Sequence, residues 1–270
     1  MSDPVWLQVT TGDAPLLVSI PHTGLDLREF APRFVSAWLA RKDADWRIEQ
    51  LYDFAAGLGA TIVRTMVSRS VIDVNRDPSG ASLYPGLATT ELCPTTTFDG
   101  EPLYRQDEAP SADDIAARRR AYFEPYHAAL RREIARLRQA HRRIALYDCH
   151  SIRSIIPLLF DGRLPAFNLG TNGGASADPA LIAAVSGVFA ASRQSFVVDG
   201  RFKGGWITRH YGKPAEGTHA LQMELACRAY MREPSVIGPD IWPTPYEPAY
   251  AAATRGVLET LFSTILDWIG

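Results

Sequence analysis

Two histidines that follow apolar segments are the residues best suited to chemistry in this chain of 270 residues. His22 lies just beyond the run Leu16–Ile20, and His150 directly follows the run 144–149. Imidazole is the usual neutral nitrogen ligand of Zn²⁺, and catalytic zinc sites commonly add a carboxylate and a water molecule. A single histidine beside a strand is more often an ordinary core or surface residue, whereas two in equivalent positions indicate a shared metal site.

Acidic residues close to these positions are candidates for a carboxylate ligand and for a general base. Asp43 and Asp45 precede a helical pattern, where Asp45 could equally serve as a helix N-cap. Asp148 stands two residues before His150 and is better suited to orienting a histidine ring than to binding the ion. Glu224 lies among apolar residues, so it is either a buried ion-pair partner or a general base whose pKa is tuned by burial and a nearby metal.

Arginines in the neighbouring loops indicate an anionic substrate. The arginines of interest are Arg69, Arg76, Arg153, Arg163, Arg201 and Arg209. Most arginines are solvated surface residues, but Arg76, Arg153 and Arg209 lie in loops near the predicted site. Guanidinium groups pair bidentately with carboxylates, so several of them near one metal predict a small polyanionic substrate.

Two glycine-rich stretches would let backbone amides approach such a substrate closely. They are 170–174, which contains Asn172, and 204–205, and neither matches a phosphate-binding loop or a dinucleotide fingerprint. The chain also has neither a GxSxG nucleophile elbow nor an HExxH helix. Cys149 and His150 are adjacent on a predicted strand and therefore point to opposite faces, which argues against a cysteine–histidine dyad.

Alternating strand and helix patterns provide the framework that must position these residues. Apolar runs predict strands at 16–20, 60–64, 70–74, 144–149, 166–169, 196–199 and 220–225. Helical patterns occupy 32–41, 45–57, about 111–141, 178–192 and 249–268. Ser111 and Asp114 form a capping box at the start of the third pattern, and Pro125 kinks or divides it. The alternation predicts a three-layer α/β sandwich with a mixed central sheet, in one domain spanning 1–270.

This framework also predicts that distant residues meet. In open α/β sheets, binding groups collect in the loops at the carboxyl ends of strands. The strands before His22, Asn75 and His150 therefore deliver two histidines and two arginines to one edge. The segment 77–107 has many Pro, Gly and Thr residues and few periodic apolar positions, so it is predicted to be a long functional loop.

Composition excludes several other classes of protein. The formal net charge of -2 and the pI of about 6.3 give no general attraction to nucleic acid or to an anionic membrane. Three cysteines without CxxC spacing argue against a disulfide framework or a cysteine-rich zinc site. No signal peptide is visible and no apolar stretch approaches the roughly 18 residues that span a bilayer. We expect a cytoplasmic, soluble protein whose oligomeric state the sequence leaves open.

Several motifs together resemble the N-formylglutamate amidohydrolase family. They are VSIPHTG, DADWRIEQLYDF, SRSVIDVNRDPSG, LYDCHSIRS, FNLGTNGGASADP, GGWITRHYGKP and HALQMELACRAYM, in that order over residues 16–231. The resemblance implies a phosphorylase/hydrolase-like α/β fold, shared with zinc carboxypeptidases and aspartoacylase. It also implies hydrolysis of N-formyl-L-glutamate to formate and L-glutamate, in histidine degradation.

The resemblance also implies roles for individual residues. In the broader group an arginine followed by Asp-x-Asn-Arg binds substrate, and Arg69, Asp73, Asn75 and Arg76 match that pattern. The group takes its first two ligands from His-x-x-Glu, whereas this chain has Leu25 at the second position, so the carboxylate must come from elsewhere. We assign one divalent metal, expected to be Zn²⁺, to His22, Asp45 and His150. We assign catalysis to Glu224 and Arg69, and substrate binding to Asn75, Arg76, Arg153, Arg209 and Asn172.

Two alternatives remain open from the sequence. One is a deacylase that acts on another acidic N-acyl amino acid, since the residues do not separate formyl from acetyl. The other is a catalytically silent protein that binds small dicarboxylates. This second alternative predicts tight binding of the ligand with no product and no bound metal.

Overall fold

A mixed sheet of seven strands forms the centre of the computed structural model, which describes residues 3–270. The strands are β1 (Leu7–Thr10), β2 (Leu16–Ile20), β3 (Thr61–Thr65), β4 (Ile144–Ile152), β5 (Phe167–Gly170), β6 (Phe196–Val198) and β7 (Thr218–Ala226). Their order across the sheet is β1-β3-β2-β4-β7-β5-β6. The central strands β3, β2, β4 and β7 are parallel to one another, β1 pairs antiparallel to β3, and β5 pairs antiparallel to β7 but parallel to β6.

Helices cover both faces of this sheet. They are α1 (Ile48–Leu51), α2 (Phe54–Gly57), α3 (Ala112–Arg118), α4 (Glu124–Ala140), α5 (Pro179–Ala191), α6 (Trp206–Tyr211) and α7 (Pro248–Ile269). Because successive side chains of a strand point to opposite faces, Tyr147 of β4 enters one core with Phe262 of α7, while Leu146 enters the other with Leu130 of α4. All nine residues of β4 are buried, as expected of a strand covered on both sides. The predicted α/β class with a mixed sheet is thus confirmed.

The predicted strand at 70–74 is wrong. This segment is an irregular, buried stretch between β3 and α3, and its apolar residues Val71, Ile72 and Val74 explain the strand-like pattern. The Asp73 carboxylate accepts a hydrogen bond from the backbone amide of Asn75, at 2.9 Å. Such a local side-chain bond offers the backbone an alternative to ladder pairing.

The first two predicted helices are also shorter than expected. In place of 32–41 the chain forms two 3₁₀ segments, Arg28–Arg33 and Leu39–Arg41. In place of 45–57 it forms the short helices α1 and α2, and Arg47 precedes α1 in the left-handed region at φ 66°. The sequence pattern also missed two elements, the edge strand β1 and the short helix α6, which begins after the glycine pair 204–205.

The long helical region after residue 111 forms as predicted at its start. Ser111 and Asp114 make the reciprocal hydrogen bonds of a capping box. A π-helical segment, Arg119–Phe123, separates α3 from α4 directly before Pro125, which occupies the first turn of α4. The segment 77–107 contains isolated bridges but no regular helix or strand, which agrees with the predicted loop. No helix among the described residues is both long and apolar enough to cross a membrane.

Candidate active site

Three neighbouring strands bring the predicted chemical groups to one end of the sheet. His22 follows β2, His150 lies near the end of β4, and Glu224 stands directly beside His150 on β7. Asp45 reaches the same place from the segment before α1, because its backbone amide donates to the carbonyl of His22 at 3.0 Å. Four residues that are far apart in sequence therefore share one buried position.

The side chains of His22, Asp45 and His150 converge on a common point. His150 Nδ1 lies 3.1 Å from His22 Nδ1 and 3.1 Å from Asp45 Oδ2, and His22 Nδ1 lies 3.6 Å from the same oxygen. Within residues 3–270 this is the one set of three such side chains whose ligand atoms all lie within 4.8 Å of one another. Ligands that share a tetrahedral ion at 2.0–2.1 Å are about 3.3 Å apart, which the three distances bracket.

Hydrogen bonds on the far side of each imidazole fix which nitrogen faces the centre. His22 Nε2 lies 2.7 Å from Asp73 Oδ1, and His150 Nε2 lies 2.9 Å from Asp148 Oδ2. A carboxylate oxygen only accepts, so both Nε2 atoms carry hydrogen and each Nδ1 is left to face the other ring. Two Nδ1 lone pairs at 3.1 Å repel unless a cation or a proton lies between them. The donor set therefore fits one divalent metal ion.

The carboxylate of Asp45 completes this arrangement. Its Oδ1 is buried and has no hydrogen-bond partner among the described residues, while Arg69 Nη1 lies 3.7 Å away. Burial alone raises the pKa of Asp45, but its contacts with the imidazoles of His150 and His22 lower it below its usual range. Asp45 is thus an anion held in a buried place, which is the state that a metal ligand requires.

Asp148 and Asn75 support the histidines. Asp148 accepts hydrogen bonds from Ser19 Oγ at 2.8 Å and from Asn75 Nδ2 at 2.9 Å, as well as from His150. The orientation of the Asn75 amide is fixed because its Oδ1 accepts from the backbone of Ile207 at 2.8 Å. Asp148 therefore has the ring-orienting position that the sequence suggested, since residues two apart on a strand point to the same face.

Glu224 and Arg69 flank the three ligands. Burial raises the pKa of Glu224 to about 8, with the charge of Asp45 adding to the effect and that of His150 opposing it. The Arg69 guanidinium donates to Asp73 at 2.8 Å and stays charged, because Asp73 and Asp45 raise its pKa against the lowering effect of burial. The site thus combines a carboxyl group that can carry a proton with a fixed positive charge.

His22, His150, Glu224 and Arg69 line a cavity at this end of the sheet. Its polar side is formed by His22, Arg69, Asn75, Arg76, His150, Gln222 and Glu224, and the rest of its wall by Tyr84, Ala88, Thr89, Thr90, Phe98, Ile152, Leu159, Arg201, Phe202 and Gly205. Gln222 Oε1 is engaged by the backbone amide of Gly205 at 2.7 Å. The cavity is therefore polar at the ligands, basic at Arg76 and Arg201, and apolar along the remaining wall.

The sequence model of N-formylglutamate amidohydrolase matches residues 14–231. The chain belongs to the N-formylglutamate amidohydrolase family. It is 48% identical to an N-formylglutamate deformylase of Pseudomonas putida over 259 residues, which are 95% of this chain and 94% of that protein. It is 46% identical to an N-formylglutamate deformylase of Pseudomonas aeruginosa, over 97% of this chain and 96% of that protein. The family resemblance of the sequence is confirmed.

Two solved structures share the fold. A crystal structure of N-formylglutamate amidohydrolase from Ralstonia eutropha superposes with a TM-score of 0.79 at 21% identity, covering 97% of this chain and 98% of that one. A gene product of Agrobacterium tumefaciens superposes with a TM-score of 0.68 at 16% identity, covering 97% and 95%. The mixed sheet described above is therefore an architecture found elsewhere in the N-formylglutamate amidohydrolase family.

Three residues assigned to substrate binding lie outside the cavity wall of this family member. Arg153 pairs with Asp43 at 3.2 Å and with Asp99 at 2.7 Å. Arg209 donates to the carbonyl of Gly204, and Asn172 occupies a left-handed turn at φ 53°. The geometry does not bring Arg153, Arg209 or Asn172 to the cavity wall, since Arg153 is held by carboxylates of two other segments and Arg209 by the backbone of its own loop.

Arg201 is the cavity arginine that the sequence argument did not select. Its Nε donates to the carbonyl of Leu159 and its Nη2 to that of Ala88, each at 2.7 Å. The guanidinium also lies over the rings of Tyr84 and Phe202, at 5.4 and 5.3 Å from their centroids. In the sequence, Arg201 stands shortly after β6, at the end of a strand as the two histidines do. That position alone does not distinguish Arg201 from Arg209.

Proposed function

We propose that this chain hydrolyses N-formyl-L-glutamate to formate and L-glutamate with the help of one divalent metal ion. The observation that carries the proposal is the meeting of two imidazoles and one carboxylate at a common point, beside a cavity that the two imidazoles and a second, protonatable carboxyl group line. The name of its relatives, N-formylglutamate deformylase, supports the choice of substrate.

His22, Asp45 and His150 are the residues that would hold the ion. A divalent metal in such a site polarises a carbonyl and makes a water molecule acidic enough to attack it near neutral pH. Two imidazoles and a carboxylate, each with its own supporting hydrogen bonds or charge, favour Zn²⁺ over harder ions that prefer oxygen ligands. The relation of the fold to zinc carboxypeptidases and aspartoacylase, the single domain and a place in histidine degradation belong to the same proposal.

Glu224 moves the proton in this mechanism. Its carboxylate accepts a proton from the water that attacks the formyl carbon, and then gives that proton to the amine nitrogen as the carbon–nitrogen bond breaks. Burial raises the pKa of Glu224 above its usual range, which favours return of the proton to the leaving amine. Arg69 lies between Asp73 and Asp45, where its fixed charge stabilises negative charge that develops on the carbonyl oxygen.

Arg76 and Arg201 are the proposed partners of the two substrate carboxylates. Arg76 is oriented by Thr90, which accepts from its Nη2 at 3.0 Å, and Arg201 is oriented by two backbone carbonyls. Guanidinium groups fixed in this way bind carboxylates with little loss of side-chain freedom. Asn75, which is already bonded to Asp148, holds the histidine network and faces the substrate only as part of the cavity wall.

A cytoplasmic location is part of the proposal. All three cysteines, Cys93, Cys149 and Cys227, are buried and unpaired, which is the usual state of thiols in a reducing compartment.

A formate-release assay tests the proposal. Purified protein is expected to contain about one equivalent of a divalent metal, to release formate from N-formyl-L-glutamate, and to stop doing so after chelation until metal is restored. Tight binding of glutamate or N-formylglutamate with no formate and no metal would instead support the dicarboxylate-binding alternative. Formate release that a chelator leaves unchanged in metal-free protein would overturn the metal assignment.

A further inference from the structure

A tight turn in the segment 77–107 places one aromatic ring against the candidate active site. The backbone amide of Thr97 donates to the carbonyl of Glu101, and that of Gly100 donates to the carbonyl of Thr97. Phe98 stands at the tip of this turn, lines the cavity and is almost entirely buried. Its ring centroid lies 4.8 Å from Cζ of Arg69.

Charged residues on both sides of the turn hold Phe98 in this place. The backbone amide of Phe98 donates to Asp43 Oδ2 at 2.7 Å. Arg153 Nη2 bridges Asp43 and Asp99, and Lys42 pairs with both Asp99 and Glu101. Because the segment 42–45 also carries the ligand Asp45, the turn and the metal-binding side chains are built as one unit.

Apolar side chains of the sheet also contact the Phe98 ring. Phe98 packs in a small apolar cluster with Ile152, Ile156, Leu164 and Ala226. Ile152 and Ala226 are the next residues on the same strand faces after His150 and Glu224, respectively. The ring therefore closes the part of the cavity that lies just beyond the ligand His150 and the base Glu224.

The substrate's orientation follows from the positions of the charges. The amide to be cleaved must lie between Glu224 and the ligand atoms. Arg76 and Arg201 are both tied to the segment 84–90, through Thr90 and Ala88, so the carboxylates lie on that side. The acyl group on the other side of the amide then faces the wall that Phe98 forms with Arg69.

We infer that Phe98 sets the size limit for the acyl group and so makes the site selective for formyl over acetyl. This inference rests on the proposed function and identifies the residue that separates formyl from larger acyl groups. A formyl carbon carries only hydrogen toward the ring, whereas acetyl and propionyl groups carry a methyl or an ethyl group into it. Overfilling a packed apolar site forces side-chain or backbone shifts. The turn that carries Phe98 resists both, because Asp43, Lys42 and Arg153 hold it in place.

Removing the ring should relax this selection. In Phe98→Ala we expect the ratio of kcat/KM for N-acetyl-L-glutamate to that for N-formyl-L-glutamate to rise about 10-fold or more, the usual scale for one methyl group in a pocket. N-propionyl-L-glutamate should gain as well. The matched control is Phe202→Ala, which removes an equal ring from the same cavity beside Arg201. It should alter kcat/KM for all three substrates by the same factor and leave their ratio within about threefold.

A second variant guards against failure of the first to fold. Phe98→Leu keeps an apolar side chain in the cluster and should give a smaller rise of the same ratio. An unchanged ratio in a folded Phe98 variant that still releases formate would overturn the assignment of Phe98 and leave the proposed function intact. Absence of formate release by the metal-loaded wild-type protein would overturn both.

Discussion

Glu224 shows how position alone can change the protonation of an ordinary carboxyl group. It stands beside His150 in the sheet register, is surrounded by apolar neighbours on β7, and faces the cavity. Burial and the charge of Asp45 oppose its ionisation, while the charges of His150 and Arg69 favour it, and the net effect raises its pKa. An amide at this position would keep the shape and remove the proton transfer.

We therefore expect Glu224→Gln to lower kcat for formate release by on the order of 100-fold or more, the usual scale of general-base catalysis. Metal content and KM should change little, because the side chain is not one of the three ligands. Glu216→Gln is the control, since Glu216 is an exposed carboxylate just before the other end of β7. A variant at Glu224 with near-wild-type turnover would remove it from the proton-transfer role.

Arg201 and Arg209 form a natural pair for testing substrate recognition. Both guanidinium groups lie over the ring of Tyr84, at 5.4 and 4.9 Å, but only Arg201 lines the cavity. We expect Arg201→Ala to raise KM for N-formyl-L-glutamate by roughly 30-fold or more, the scale of about 2 kcal/mol for an unpaired carboxylate. Arg209→Ala should stay within about threefold of wild type. Steady-state kinetics decide between them, and the opposite ranking would restore the sequence-based assignment of Arg209.

At the scale of elements, the sequence predicted what depends on local pattern. The runs that became β2, β4 and β7 are continuous in apolar character, so they located the strand ends where His22 and His150 stand. The same apolar signal failed at 70–74, where the buried residues pack around an irregular turn made by the Asp73 side chain. A run of apolar residues indicates that a segment is buried, but a buried segment need not be a strand.

The choice among arginines shows a second limit. Arg153 follows His150 on the same strand end, which made it a reasonable substrate ligand, yet two carboxylates from other segments engage it. Asp99 reaches Arg153 through the folded turn that carries Phe98, and Asp43 reaches it from the segment before α1. Pairing between distant segments cannot be read from sequence spacing. The sequence could therefore predict which residue types meet, but not which arginine is free to bind a substrate.

The packing of α4 onto the loop before Asn75 makes a prediction about acid stability. His127 of α4 is buried, donates from Nε2 to the carbonyl of Val74 at 2.8 Å, and accepts from the hydroxyl of Tyr211 at Nδ1. Burial lowers the pKa of His127 to about 3, despite the raising effect of the bond to Val74. His127 therefore binds a proton below about pH 6.5 in the unfolded chain but only below about pH 3 in the folded chain.

His127 therefore makes its full contribution to the free energy of unfolding above pH 6.5. This contribution falls as the pH drops toward 3, by at most about 1.4 kcal/mol per pH unit. The variant His127→Gln can keep both hydrogen bonds. We expect its free energy of unfolding to fall less than that of wild type when the pH drops from 6.5 to 4.5, and the difference should be about 2–3 kcal/mol. Urea unfolding at several pH values measures this difference. Parallel curves for the two proteins would show that His127 is not the group responsible.

At the scale of the whole molecule, the proposed metal site joins parts of the chain that are far apart in sequence. His22 follows β2, Asp45 precedes α1, and His150 lies on β4, so an ion bound by all three exists only in the folded chain. Any ligand that binds the folded state alone stabilises it, by about 4 kcal/mol when its concentration is 1,000 times Kd. The ion should therefore act as a structural link as well as a catalyst.

We expect Zn²⁺ added to chelator-treated protein at that concentration to raise Tm by about 7 °C, given an unfolding entropy of about 2.1 cal/mol/K per residue. His22→Ala should lose the shift, because it removes one of the three ligands and leaves His150 facing Asp45 alone. His141→Ala should retain it, since His141 lies at the opposite end of β4, bonded to the carbonyl of Asp13. Scanning calorimetry of the three proteins with and without Zn²⁺ measures the effect without reference to activity. A shift that survives in His22→Ala would mean that the ion binds elsewhere, and the two imidazoles at 3.1 Å would then need another explanation.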